Sequence, residues 1–190
     1  MGERMGDTER EAAAAVDAEL IVRWHRGEDR AATLLVDRHA QALARFAASQ
    51  GEREGVEELV QDTFIRAFQA LDSFRADSSL RTWLFTICKR LILDRKRADR
   101  RQQGKVELEE GHAVVNFDAL DGLVADETAA RVRGAMEQLS PLQREVFTLR
   151  VTEGMAYGDI AEVVGSTEGA CRVHYHNAMR AVKEYLSDDD

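Results

Sequence analysis

Helical periodicity is the feature that most constrains how this chain can fold. Between residues 17 and 101, apolar side chains recur every three or four positions, and short clusters of turn-forming residues interrupt the pattern. Strand-like alternation of apolar and polar residues is absent, and a single proline among 190 residues is compatible with long helices. We therefore predict an all-α fold whose first part contains four helices, near 17–26, 29–48, 54–71 and 80–101.

Clear helix signals also mark the C-terminal third of the chain. Ser140 and Gln143 have the spacing of a capping box around a first-turn proline, which predicts a helix start. Further along, Ala161 is followed four residues later by Gly165, as in a helix-turn-helix, where a small residue lies at the helix crossing and a glycine at the turn. A long second helix is predicted beyond the turn, near 167–186.

Helical periodicity is lost between these two parts. The intervening residues contain three glycines and seven acidic side chains, a composition typical of a flexible acidic linker. We therefore predict two small helical domains joined by that linker. The predicted segments are a flexible N-terminus (1–16), a first domain (17–101), the linker (102–128), a second domain (129–187) and an acidic tail (188–190).

Charge is distributed unevenly along the chain, whose net charge is -9. Residues 81–105 hold nine basic and two acidic side chains (+7), whereas 106–130 hold seven acidic and no basic ones (-7). A local basic stripe of this kind can hold phosphates even in an acidic protein. The adjacency also raises the hypothesis that the acidic linker folds over the basic helix and restrains it.

Three helix faces are candidate binding surfaces. On the helix at 80–101, Trp83, Arg90 and Arg97 are spaced by seven residues and line up along the axis, which favours contact with a nucleic-acid strand. On the helix after Gly165, basic side chains form an outward face that suits the major groove of DNA. The simpler interpretation of the helix at 80–101 is a solvated face with Trp83 filling the core, and helix-turn-helix pairs also occur as purely structural units. The third is a strip on the helix at 54–71 that suits a basic protein partner, namely Glu58, Asp62, Ile65 and Gln69.

Other classes of site are not indicated. Cys171, His174 and His176 cannot share a metal ion, because positions 174 and 176 point to nearly opposite sides of a helix. No phosphate-binding glycine loop, nucleophile elbow or convergent acid–base set is visible. We expect no catalytic residue, metal, cofactor or small-molecule substrate. Two lone cysteines and the lack of a secretory signal or a membrane-length apolar run predict a cytoplasmic protein without membrane insertion.

Four stretches of the sequence resemble bacterial sigma factors of the extracytoplasmic-function group. In order, they are EELVQDTFIRAFQALDSFR, SSLRTWLFTICKRLILDRKR, QLSPLQREVFTLR and EGMAYGDIAEVVGSTEGACRVHYHNAMRAVKEYL, which are similar to sigma regions 2 and 4. The resemblance covers roughly residues 17–187 and implies a region 2 helical bundle and a region 4 helix-turn-helix. It further implies a promoter-specificity subunit that binds core RNA polymerase and promoter DNA, helps to melt the promoter, and is held by an anti-sigma factor.

Residue roles follow from the same resemblance. The strip at Glu58, Asp62, Ile65 and Gln69 would dock on the β′ clamp helices of the polymerase, and region 4 would lie at the β flap. The candidates for the minus-10 element are Trp83, Thr86, Lys89, Arg90, Lys96, Arg97 and Arg101. The candidates for the minus-35 element are Thr167, Glu168, Arg172, His176 and Arg180.

Some positions depart from the family pattern, and other functions remain open from the residues alone. Arg90 stands where members often have asparagine, and Asn177 where a basic residue is common, which predicts an altered minus-10 preference and weaker phosphate anchoring by region 4. One alternative is a stand-alone helix-turn-helix regulator with an N-terminal sensor or dimerisation domain. Another is a protein-binding adaptor that never touches DNA.

Overall fold

A computed structural model describes the backbone of residues 7–52, 55–103 and 126–187, with side chains for 8–52, 55–101, 131–132 and 134–187. Within these ranges every regular element is helical, which confirms the predicted all-α class. The α-helices are α1 (Asp7–His25), α2 (Asp29–Ser49), α3 (Val56–Ala70), α4 (Leu80–Gln103), α5 (Asp126–Glu137), α6 (Pro141–Phe147), α7 (Tyr157–Val164) and α8 (Glu168–Ser187).

Helices α1 to α4 form the first bundle. Its centre contains the rings of Phe46 and Phe85, whose centroids lie 5.3 Å apart at nearly a right angle, a favourable edge-to-face geometry.

Helical spacing predicts that Val60 and Phe64 of α3 face the core, and both side chains are buried. On α4 the same spacing predicts a core side that includes Leu84, Leu91 and Ala98. Leu84 and Leu91 are buried, but the prediction is wrong for Ala98, which is exposed.

Helix α1 begins at Asp7, about ten residues before the predicted start. An alanine-rich segment with high helix propensity continues the helix upstream, and contacts with α2 hold it in place. Arg38 donates to the carboxylate of Asp17 (Nε to Oδ1, 2.8 Å) and to the carbonyl oxygen of Ala13 (3.3 Å). His39 lies 3.1 Å from the other Asp17 oxygen. Burial raises the pKa of Asp17, but these hydrogen bonds outweigh it and hold the pKa below 3.8.

Helices α5 to α8 form the second bundle, in which α6 starts with the predicted capping box. The Ser140 hydroxyl accepts from the backbone N–H of Gln143, whose side chain accepts from the backbone N–H of Ser140. A π-helical turn, Thr148–Thr152, then continues from α6. Between α7 and α8 the backbone turns at Gly165, which has φ +71°, a conformation that favours glycine. The predicted helix-turn-helix is therefore present.

The two bundles pack against each other through a shared apolar core. Side chains of α6 to α8, among them Val146, Ile160 and Cys171, join the same buried cluster as Leu84 and Cys88 of α4. Packing between α4 and α7 forms much of this contact. The sequence did not reveal this contact. Most of the predicted acidic linker, residues 104–125, lies outside the described residues, and so does the hypothesis that it folds over α4.

Candidate nucleic-acid and polymerase interface

The predicted minus-10 face of α4 is only partly open to solvent. Arg90, Arg97 and Arg101 are exposed. Trp83 is half-buried and packs on Phe74, with ring centroids 4.9 Å apart. These residues form a cationic stripe with an aromatic ring at one end, the combination that holds a single strand by phosphate contacts and base stacking.

Two other predicted cations of this face lie in contacts within the protein. Lys89 keeps 17% of its side chain exposed, and its Nζ lies 2.8 Å from a carboxylate oxygen of Glu145 on α6. The same Nζ donates to the carbonyl oxygen of Val164 on α7 (3.1 Å). The Nζ of Lys96 donates to the carbonyl oxygen of Gln50 (2.7 Å). The second bundle thus covers the Lys89 part of the face.

The electrostatics of this contact reflect its burial. Burial raises the pKa of the Glu145 carboxyl, and the hydrogen bond and charge of Lys89 only partly oppose that rise. Burial likewise lowers the pKa of Lys96, although the charge of Glu52 acts in the other direction. Both charged groups of the Lys89–Glu145 pair are therefore largely desolvated.

A second ion-pair cluster, which sequence reasoning missed, joins the bundles at Glu153. Its side chain is fully buried and lies between two arginines of the first bundle. Arg45 donates to both carboxylate oxygens, Nε at 2.9 Å and Nη2 at 3.0 Å, and Arg81 donates from Nη2 at 2.7 Å. Bidentate pairing is a strong geometry for a carboxylate. In the sequence, Glu153 precedes a glycine and carries the signal of an ordinary turn.

The predicted minus-35 face of α8 is open. All five candidates, Thr167, Glu168, Arg172, His176 and Arg180, are exposed. The Thr167 hydroxyl accepts from the backbone N–H of Ala170 (3.2 Å), which caps the start of the helix. Arg172 pairs with Glu168 one turn earlier and lies over the ring of Tyr157. The opposite side of α8 is buried at Cys171, Ala178 and Val182, as the periodicity predicted.

The predicted polymerase strip on α3 is a mixed apolar and acidic surface. Ile65 is 47% exposed, and Gln69 is exposed beside it. Glu58 and Asp62 both approach Arg95 of α4, at 3.5 and 3.4 Å. Next to the strip lies an apolar groove between α2 and α3, of about 510 Å³, which the sequence did not reveal. Its apolar walls are formed by Val36, Ala40, Ala44, Val60, Phe64, Ile65 and Phe68.

Metal-binding clusters and membrane-spanning helices are absent from the parts of the chain that the structure describes. Among those residues no cluster of three or more histidine, cysteine or acidic side chains is placed to hold a metal ion. None of the described helices combines the length and the apolar character that a membrane crossing requires.

Comparison with known proteins assigns both bundles to one family. The profile of Sigma-70 region 2 matches residues 35–102, and that of Sigma-70, region 4 matches residues 129–182. The chain is 31% identical over 183 residues to the RNA polymerase sigma-H factor of Pseudomonas aeruginosa, covering 90% of this chain and 93% of that protein. It is 29% identical over 175 residues to the ECF RNA polymerase sigma-E factor of Escherichia coli strain K12, covering 87% and 92%.

Two solved structures of similar fold are complexes with a second protein. The sigma factor RpoE of Bartonella quintana, crystallised with the anti-sigma factor NepR, matches with a TM-score of 0.69 and 28% identity, covering 83% of this chain and 98% of that one. CnrH in complex with the cytosolic domain of CnrY matches with a TM-score of 0.67 and 30% identity, covering 92% and 99%. With both sigma regions matched in order, this chain belongs to the extracytoplasmic-function group of sigma factors, the promoter-specificity subunits of bacterial RNA polymerase.

Proposed function

We propose that this sigma factor contacts the minus-10 element through α4 and the minus-35 element through α8, while α3 docks on the polymerase. The observation that carries the proposal is the exposure of basic side chains on two helices, one in each bundle. Because the two promoter elements are separate, a factor that reads both needs two such faces. The chemistry of RNA synthesis belongs to the polymerase, so the chain itself is not an enzyme and acts in the cytoplasm, where promoter DNA lies.

On α4, Arg90, Arg97 and Arg101 would hold the phosphates of the non-template strand. Trp83 would offer its ring to an unstacked base, and Thr86 lies on the same side one turn further along. Phe74 keeps the indole ring in place from the loop that precedes the helix. Lys89 and Lys96 would join this face only after their present partners release them.

On α8, the N-terminal residues would lie closest to base edges in the major groove. Arginine recognises guanine through two hydrogen bonds, which makes Arg172 the strongest candidate for base contact on this face. Thr167, Glu168 and His176 flank it, and Arg180 lies two turns further along, where it would contact phosphate.

For polymerase binding, the α3 strip combines an exposed isoleucine with carboxylates and an amide. The neighbouring apolar groove extends this surface with almost entirely apolar walls. A partner that inserts apolar side chains into the groove and brings basic ones to Glu58 and Asp62 would fit both parts. We propose the β′ clamp helices as that partner, with the β flap contacting the second bundle.

The closed packing of the two bundles favours regulation by a protein partner. Glu145 occupies the position beside Lys89 that a DNA phosphate would take. The second bundle must therefore move before Lys89 can bind DNA. The similar RpoE structure contains an anti-sigma factor. We therefore propose that an anti-sigma factor binds this chain and keeps it closed.

The minus-10 assignment is tested with Arg90→Ala plus Arg97→Ala. Removing two exposed phosphate-binding charges should cripple open-complex formation, measured by permanganate reactivity of the promoter, and leave polymerase affinity unchanged. Arg26→Ala plus Arg30→Ala is the matched control, because it removes the same charge from an exposed corner between α1 and α2. Normal melting by the Arg90/Arg97 variant would contradict the assignment.

The docking assignment is tested with Asp62→Arg plus Ile65→Ala. Reversing a charge and removing an exposed apolar side chain should weaken binding to core polymerase, measured by fluorescence anisotropy of the labelled chain. Glu11→Arg plus Val16→Ala makes the same change on the exposed side of α1 and serves as the control. An unchanged dissociation constant of the Asp62/Ile65 variant would remove the docking claim.

A further inference from the structure

The ring of Tyr157, the first residue of α7, is in contact with the guanidinium groups of two arginines. The Cζ of Arg150, from the π-helical turn, is 4.6 Å from the centroid of its ring. The Cζ of Arg172, from α8, is 4.7 Å from the same centroid. Both distances are well inside the range of a cation–π interaction, so one aromatic ring restrains two cations.

The ring itself is fixed from the side of the core. Tyr157 makes an edge contact with the ring of Tyr175, with centroids 5.9 Å apart, and both side chains pack on the buried cluster. Arg150 is anchored in addition by a hydrogen bond to the carbonyl oxygen of Met155 (2.5 Å). The Tyr157 ring that Arg172 contacts is therefore held in place by packing against the core.

Arg172 differs from the other cations of α8 because contacts within the protein already restrict the conformation of its side chain. Its side chain is 59% exposed, yet it is held by the Glu168 carboxylate on its own helix and by Tyr157 on the preceding one. An unrestrained arginine loses rotamer entropy when it docks on a base edge, and a side chain ordered beforehand loses less. A planar guanidinium also needs the correct orientation to make two parallel hydrogen bonds.

We propose that Tyr157 is a positioning residue for minus-35 recognition, which holds the guanidinium plane of Arg172 ready for a base edge. The proposal rests on the assignment of α8 as the minus-35 reader. It predicts that the face of the ring is required and the hydroxyl is not. Tyr157 itself touches no base in this account, and Arg150 beside it supplies a second positive charge at the same site.

The test measures binding of the full-length chain, assembled with core polymerase, to a promoter whose start has been mapped. Each minus-35 base pair is replaced in turn, and dissociation constants are compared for the wild type, Tyr157→Leu, Tyr157→Phe, Arg172→Ala and the Tyr157→Leu/Arg172→Ala pair. Tyr157→Leu should weaken binding about threefold and reduce discrimination at the base pair that Arg172→Ala identifies. Tyr157→Phe should behave as the wild type, and the double variant should lose no more than Arg172→Ala alone.

A purely structural role for Tyr157 gives a different pattern. Damage to the second bundle would weaken binding at every sequence alike and would lower the melting temperature, and that result would overturn the inference. Equal discrimination by Tyr157→Leu and wild type, together with a clear effect of Arg172→Ala, would overturn the inference and leave the α8 assignment standing. If Arg172→Ala changes discrimination at no base pair, both the assignment of Arg172 and the inference fall.

Discussion

The two candidate DNA-binding helices are presented in different ways. All five predicted contact residues of α8 are exposed, whereas only three of the seven on α4 are. The second bundle covers one of the others, because it brings Glu145 to Lys89, whereas Trp83 packs on Phe74 and Lys96 contacts Gln50 within the first bundle. In this arrangement the proposed minus-35 face is open to solvent, while Lys89 of the proposed minus-10 face becomes available only when the bundles separate.

The contacts that hold the bundles together explain how such a cover can be both specific and reversible. Glu145 and Glu153, both in the second bundle, meet cations of the first. A buried ion pair contributes little net stability, because its attraction is offset by the loss of hydration, but a buried charge without its partner is costly. When the bundles separate, the carboxylates and their cationic partners are hydrated together. Separation therefore costs less free energy than the removal of one partner, which leaves the other buried and unpaired.

The largest effect is expected when Glu153 loses both cations. Arg45→Met plus Arg81→Met leaves the buried carboxylate unpaired, which should reduce the free energy of unfolding by about 3–5 kcal/mol, or open the closed form instead. Urea denaturation and the separation of dyes placed on the two bundles measure the two outcomes. Arg26→Met plus Arg30→Met, at exposed positions, is the control. An unchanged midpoint together with an unchanged dye distance would show that Glu153 does not hold the bundles together.

A direct comparison of the two faces comes next in size. Lys89→Met leaves the Glu145 carboxylate without its cationic partner and should reduce the free energy of unfolding by about 2 kcal/mol. Arg172→Met removes an exposed cation and should change it by no more than about 0.5 kcal/mol. Equal losses for the two variants would mean that the faces are not covered to different extents. Denaturant titrations of both proteins in the same buffer provide the measurement.

Removal of the helix cap on α6 should have a smaller effect. Ser140→Ala leaves the backbone N–H of Gln143 without its acceptor and should cost about 1 kcal/mol of stability. Ser140→Asp keeps an acceptor at the same place and should remain within a few tenths of the wild type. Because α6 carries Glu145 but not the α8 face, the loss should weaken closure and leave minus-35 discrimination intact. A change in that discrimination would contradict the separation of the two faces.

The smallest effect is expected for the pH dependence of stability that Glu145 causes. Burial raises the pKa of Glu145, so the folded state binds a proton there more readily than the unfolded state does. Stability from this group is fully present below its ordinary pKa of 4.5 and is lost as pH rises through the higher folded value. The wild type should therefore gain stability relative to Glu145→Gln as pH falls from 7 towards 4.5. A difference between the two proteins that stays constant with pH would contradict a buried Glu145.

Local features of this fold follow from the sequence, and long-range ones do not. The capping box at Ser140, the turn at Gly165 and the buried side of α8 depend on residues within a few positions of each other, so spacing alone predicts them. The position of α1 against α2 depends on Arg38, twenty-one residues beyond its partner Asp17. The bridge at Glu153 depends on Arg45, 108 residues away, and no periodicity encodes such a contact.

The candidate site shows the same difference between local features, which spacing predicts, and long-range contacts, which it does not. The identities of the exposed cations on α4 and α8 could be predicted from helical spacing, because a helix fixes which residues share a side. Lys89 and Arg90 are neighbours in sequence and equally basic, yet one faces Glu145 and the other solvent. The packing of the second bundle on α4 accounts for this difference. The contact of Tyr157 with Arg172 depends in the same way on tertiary structure, because it requires α7 to pack against α8.

The most direct test of the account is transcription in vitro with purified components. The full-length chain is added to the host's core polymerase on fragmented genomic DNA, and the 5′ ends of new transcripts are sequenced. The account predicts discrete start sites that require both components and share two upstream elements at the minus-10 and minus-35 positions. Absence of dependent start sites, from a core polymerase that is active with another sigma factor, would contradict it.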